Sequence, residues 1–200
     1  MTPRTDDSTW MESSKVKQLI AAIEKIDPSE KIVVFSFFLT FLKFIEKCLA
    51  KRQISSVLFS GVLVMKKREA LIKDFQSSGD TSRVFLATVS SCGFGINLTA
   101  ASHCFFMDPM WNPAVEEQAM NRIHRIGQLR PVTITRFLCR NTVEEDIEKI
   151  SMSKKALTEM FSVGGKNSGG GGRLARTELL ALFAAPRTRD APNSDDEGDD

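Results

Sequence analysis

IVVFSFFLTFLKFI, residues 32–45, is the chain's nearest approach to a membrane span. A spanning helix needs ~18 uninterrupted apolar residues, whereas this run is shorter and is broken by Ser36, Thr40 and Lys43. It reads better as a buried strand followed by a buried helix. That choice sets the fold, because the same alternation continues to both sides.

Short apolar runs rich in β-branched and aromatic residues recur as KIVVFSF (31–37), SSVLFS (55–60), RVFLATV (83–89), HCFFMD (103–108) and VTITRFL (132–138). Helix-period segments lie around and between them: SSKVKQLIAAIEKI, LTFLKFIEKCLAKR, MKKREALIKDFQ, PAVEEQAMNRIHRI and TVEEDIEKISMSKKALTEMF. Strands alternating with helices predict the α/β class, a parallel sheet with helices on both faces. The near-continuous apolar character of the strands fits burial on both sides.

Two hundred residues, 42% of them hydrophobic, suit one sizeable core with tails. Residues 1–12 read as a disordered N-terminus, and its acids stand where a signal peptide needs an apolar run, so neither secretion nor membrane insertion is expected. The folded domain is placed at 13–162. Residues 163–172 hold six glycines and read as a linker. RLARTELLALF, within 173–185, reads as a short helix, either docked on the domain or exposed. Residues 186–200 read as an acidic disordered tail, which either contacts histones or only keeps the chain soluble.

The net charge is +2. Without residues 187–200, which hold two arginines and six acids, 25 basic and 19 acidic residues remain, a net of +6. A mildly basic body permits a polyanionic partner without demonstrating one. Cys48, Cys92, Cys104 and Cys139 lie far apart with no CxxC pair, which suits reduced thiols and offers no zinc site. His103 and His124 read as structural, with no carboxylate pair or cysteine–histidine arrangement to suggest other chemistry.

QAMNRIHRIGQ (118–128) carries the strongest functional signal. Asn112 suits the N-cap, Pro113 the first helical position, and Glu116 and Glu117 the positive end of the helix dipole. On a helix through residue 126, Gln118, Arg122 and Arg125 fall within an arc of about 60°. Val115, Ala119, Ile123 and Ile126 form the adjoining buried stripe, and Gly127 ends the helix. Two readings stand: a solvated face with the arginines paired to Glu116 or Glu117, or two rigid guanidinium forks placed for phosphate oxygens. The two glycines of GFG (93–95), taken by themselves, are an ordinary turn. Trp111 is either an anchor for the loop before the helix or a nucleic-acid contact.

Together, CGFGINLTAASHCFFMDPMWNPAVEEQAMNRIHRIGQ (92–128) resembles the second RecA-like lobe of the Swi/Snf-type ATPases, in the helicase superfamily. The likeness runs from about Ser14 through TVEEDI (142–147). DPMWNP and the ending LTEMF followed by LARTELLALF look most like the DNA-repair translocases related to helicase-like transcription factor. The resemblance implies two lobes closing on ATP with Mg²⁺, Arg122 and Arg125 acting as arginine fingers, and Gln118, Gly93, Gly95 and Asn97 lining the nucleotide side. A finger of this kind is worth about 10³ to 10⁵ in rate. It further implies DNA contacts at Thr88, Ser90, Asn97 and Trp111, double-stranded DNA held through phosphates, chromatin proteins as partners, and a nuclear location. No membrane partner is implied.

The chain departs from the family pattern at three places. Ser90, Ser91, Cys92 and Gly93 stand where KAGG is usual, Phe37 replaces a glutamine, and Ser60 replaces an aspartate; each change weakens a DNA or interlobe contact. Neither a GxxxxGK[ST] loop nor a strand-end acidic pair is found, so the 200 residues hold half an active site, expected to bind ATP weakly and to hydrolyse essentially none. Two functions follow: the C-terminal lobe of a DNA-dependent ATPase whose first lobe lies outside these residues, or a non-catalytic module that binds DNA or protein.

Overall fold

The computed structural model describes residues 12–162 apart from 78, 80 and 81. The predicted linker, short C-terminal helix and acidic tail therefore lie outside the described residues, as does the N-terminus through residue 11. Glu12, assigned to that N-terminus, is ion-paired with Arg52 at 2.6 Å.

Four of the five apolar runs contain a strand and the fourth in order, 103–108, overlaps one that starts two residues earlier: β1 (Lys31–Ser36), β2 (Ser56–Phe59), β3 (Val84–Thr88), β4 (Ala101–Phe106) and β5 (Thr133–Arg136). The helices are α1 (Ser14–Lys25), α2 (Leu39–Lys51), α3 (Met65–Gln76), α4 (Pro113–Met120) and α5 (Val143–Ser162). The sheet is parallel throughout, in the order β2-β3-β1-β4-β5. This is the expected RecA-like α/β architecture.

Alternation along each strand sends side chains to opposite faces. In β1, Ile32 and Val34 join Leu19, Ile23, Leu42, Ile45 and Leu49 from α1 and α2. Val33 and Phe35 join Phe75 of α3 and Ala119 of α4. Two apolar cores thus sandwich the sheet. Fully burying a side chain of this size contributes about 1.5–3 kcal/mol, so the two faces dominate stability.

Polar ties close the ends of the helices. Ser13 caps α1 by accepting from the Val16 N–H. Arg83 donates to the carbonyls of Ile23 at 2.9 Å and Ile26 at 2.6 Å, where α1 leaves its C-terminal carbonyls unmatched. Lys15 joins α1 to α5 through Glu144 at 2.7 Å and also donates to the Met107 carbonyl at 2.8 Å. Among the described residues, no helix is long and apolar enough to cross a membrane.

Candidate functional site

The chain leaves β1 toward β2 but leaves β4 toward β5, in opposite directions across the sheet. Such a switch opens a crevice outside the C-terminal ends of the two strands, the usual ligand position in an open α/β sheet. Asp108 occupies it: its carboxylate accepts from the Ser36 hydroxyl at 2.5 Å and the Phe37 N–H at 2.9 Å. Ser36 in turn accepts from the Phe38 N–H at 3.1 Å. Trp111 stacks on Phe37, with ring centroids 4.9 Å apart and planes 8° from parallel. Phe37 therefore packs the loop that leads into α4, in line with the anchoring role considered for Trp111.

Asn112 caps α4, accepting from the Ala114 N–H at 3.1 Å, with Pro113 at the helix start. Glu116 is buried and pairs with Arg136 of β5, not with Arg122 or Arg125. The expected helix through residue 126 ends instead at Met120. From there the backbone tightens: Arg122 N–H bonds Ala119 O at 3.1 Å and Ile123 N–H bonds Met120 O at 2.9 Å. The Arg122 carbonyl turns out of the helix and accepts from the Leu98 N–H at 2.8 Å. Gly127 does take a positive φ, +103°, but well beyond the helix end. Gln118, Arg122 and Arg125 thus share no helical stripe, because the first is on α4 and the other two lie in the turns after it. Ile123 is buried as expected, whereas Ile126, placed on the same buried stripe, is fully exposed.

Gln118 and Arg125 are exposed, and Arg122 is half-buried. The Nε of Arg122 is buried with no hydrogen-bond partner. The Nε of Arg83 shares this state, so an orphan donor of this kind does not by itself mark a ligand site.

After β3, a 3-10 turn spans Val89–Phe94 and ends at Gly95 with φ +63°. A left-handed glycine there needs no Cβ accommodated. Gly93 lies within that turn. Asn97 is exposed, and its side chain accepts from the Thr99 N–H at 3.2 Å, which fixes the turn. Thr88, expected to face DNA, is only 5% exposed, and its hydroxyl donates to Ser91 at 3.1 Å. Its position at the strand end buries it under the turn. Ser90, beside it, is exposed.

Two glutamines that sequence reading passed over hold these loops. Gln76, at the end of α3, donates to Asn97 O at 2.6 Å and accepts from the Ala100 N–H at 2.9 Å. Gln128 donates to Ala101 O at 2.8 Å and Ile123 O at 3.3 Å. Both bond backbone far away in sequence, for which no local signal exists. Of the histidines, His124 is exposed, and His103 bonds Glu30 at 2.5 Å toward the other end of the sheet. His103 lies inside β4, which begins two residues earlier, rather than opening it. The Glu30 carboxyl, held by the Ser102 hydroxyl and then by His103, lies below the ordinary glutamate range despite the opposing effect of burial. Cys48, Cys104 and Cys139 carry free thiols. Among the described residues there is no group of three or more side chains fit to hold a metal ion.

Residues 14–127 match the family described as the helicase conserved C-terminal domain. The chain belongs to that family. The helicase C-terminal domain is 44% identical over 151 residues to DNA repair protein RAD5B of Arabidopsis thaliana, covering 74% of this chain and 12% of that protein. It is 38% identical over 158 residues to human helicase-like transcription factor, covering 77% and 16%. The crystal structure of the C-terminal part of the Fun30 ATPase domain superposes with a TM-score of 0.68 at 30% identity, covering 72% of this chain and 47% of that one. The chain therefore spans a small part of the length of its curated relatives. Its similarities lie with Swi/Snf-type proteins of DNA repair.

Proposed function

We propose that this lobe is the C-terminal half of a Swi/Snf-type DNA-dependent ATPase motor, closing on ATP carried by a preceding lobe. Arg122 and Arg125 serve as its arginine fingers. The observation that carries this reading is the match to the helicase C-terminal domain over residues 14–127, a stretch that contains both arginines. In this reading the two guanidiniums donate to phosphate oxygens, and their fixed charge stabilises the charge developing on the transferred phosphoryl group. Arg125, exposed three residues on, supplies the second cation. ATP with Mg²⁺ supplies the reacting phosphate; this lobe orients and neutralises it. Gln118, Gly93, Gly95 and Asn97 line the nucleotide side in the same reading. Double-stranded DNA is held through phosphates by the Ser90–Asn97 loop, so binding is salt-dependent and indifferent to sequence. Chromatin proteins and a nuclear setting accord with the DNA-repair and chromatin names of relatives.

The test joins the chain behind the part of the Fun30 ATPase domain that precedes its C-terminal part, and measures DNA-stimulated ATP turnover. Arg122→Ala is expected to lower kcat by about 10³ or more, with no rescue by Arg122→Lys, which lacks the planar fork. Turnover that survives loss of both arginines, with DNA affinity intact, would instead favour a non-catalytic binding module.

A further inference from the structure

Beside the two arginines stand two of the most exposed apolar side chains of the lobe. Ile126 is 100% exposed and Leu129 is 95% exposed. The turn that presents them is tied down on every side. The Gln128 N–H donates to Arg125 O at 2.9 Å, and the Gln128 side chain donates to Ala101 O and Ile123 O. The Arg130 N–H donates to the Gln128 side chain at 3.0 Å, while the Arg130 guanidinium bonds Ala100 O at 2.7 Å. Gly127 supplies the positive φ that lets the chain reverse there. The apolar tip is therefore held out from the surface by a hydrogen-bonded frame.

We infer that Ile126 and Leu129 are the apolar anchors by which this lobe docks on the ATP-bearing lobe, an inference that rests on the reading of Arg122 and Arg125 given above. Charge and hydrophobicity together select the occupant. Arg122, Arg125 and Arg130 surround the tip in sequence and call for negative charge, while Ile126 and Leu129 call for a surface that excludes water. A DNA duplex satisfies the cations through its phosphates but offers nothing to two aliphatic side chains. A protein face carrying nucleotide phosphates satisfies both. Apolar anchors with an arginine rim are the usual anatomy of such a contact, and anchors already ordered lose little entropy on docking.

The experiment titrates the whole 200-residue chain into the purified preceding part of the Fun30 ATPase domain, by calorimetry, with and without a non-hydrolysable ATP analogue. The double variant Ile126→Ser, Leu129→Ser is expected to bind about tenfold or more weakly in both nucleotide states. Its thermal unfolding should match the parent, because both side chains already face solvent. The variant Arg122→Ala, Arg125→Ala should lose only the affinity gained from the nucleotide. Unchanged affinity of the serine variant, with the nucleotide-dependent gain still lost in the arginine variant, overturns the docking role and leaves the fingers standing. The reverse pattern supports the docking role and removes the fingers. No measurable binding of the parent chain in either state overturns the docking role. So does a serine variant that changes only self-association, or only the effect of deleting residues 163–200, since the tip would then be covered by a second copy or by this chain's own C-terminal segment.

Discussion

The Leu98 N–H donates to the carbonyl of Arg122 at 2.8 Å, binding the loop after β3 to the segment that carries both arginines. Gln76 grips the same loop from the other side, through Asn97 O and the Ala100 N–H. The loop is thus bonded on one side to the arginine segment and on the other to the end of α3.

Gln76→Ala removes two loop bonds and leaves the Leu98 bond in place. The loss should be about 1 kcal/mol, since water can reach the freed groups. Hydrogen exchange is expected to show the Ala100 amide losing protection while the core amides of β1 keep theirs. Unchanged protection at Ala100 would mean that Gln76 does not restrain the loop.

The stack of Trp111 on Phe37 predicts energetic coupling. In a double-mutant cycle with alanine at each position, denaturant unfolding should give a coupling of about 0.5–1.5 kcal/mol. Phe37→Gln should likewise lose that coupling. Additive single effects would show that the rings touch without mutual stabilisation.

Arg68 is buried, lies over the Phe59 ring, and donates to the carbonyls of Leu63 and Gly61 in the loop before α3. Charged hydrogen bonds of this kind contribute about 1.5–3 kcal/mol. Arg68→Ala should lower stability by roughly that amount, and Arg68→Lys should recover little of it, since one ammonium cannot reproduce the fork. Full recovery by lysine in thermal unfolding would contradict the two-carbonyl role.

Glu30 gives a pH dependence. Its carboxyl is lowered from the ordinary value of 4.5, chiefly by the Ser102 hydroxyl and next by His103. A depressed carboxylate favours the folded state fully above its unfolded value, and that contribution disappears as pH falls through the folded value. The melting temperature should therefore drop below about pH 4.5, and Glu30→Gln should flatten that part of the profile. An unaltered acid limb in the variant would assign the acid sensitivity to other carboxylates, Glu12 beside Arg52 being the next candidate.

The strands and helices were legible in the sequence because their signals are local. β1 and α2 follow from the apolar run at 32–45 and its interruptions, and the start of α4 follows from Asn112 and Pro113. The parallel architecture follows in turn from the alternation of such elements. The end of α4 was decided elsewhere. Periodicity carries the helix to Ile126, but the Arg122 carbonyl finds the Leu98 N–H and Gln128 finds Ala101 O and Ile123 O, so the chain leaves the helix after Met120. A sequence window records which residues prefer a helix; it does not record a hydrogen-bond partner 24 residues away. That long-range competition set the half-burial of Arg122 and the exposure of Ile126, which is why the residue types of the candidate site could be read in advance and their arrangement could not.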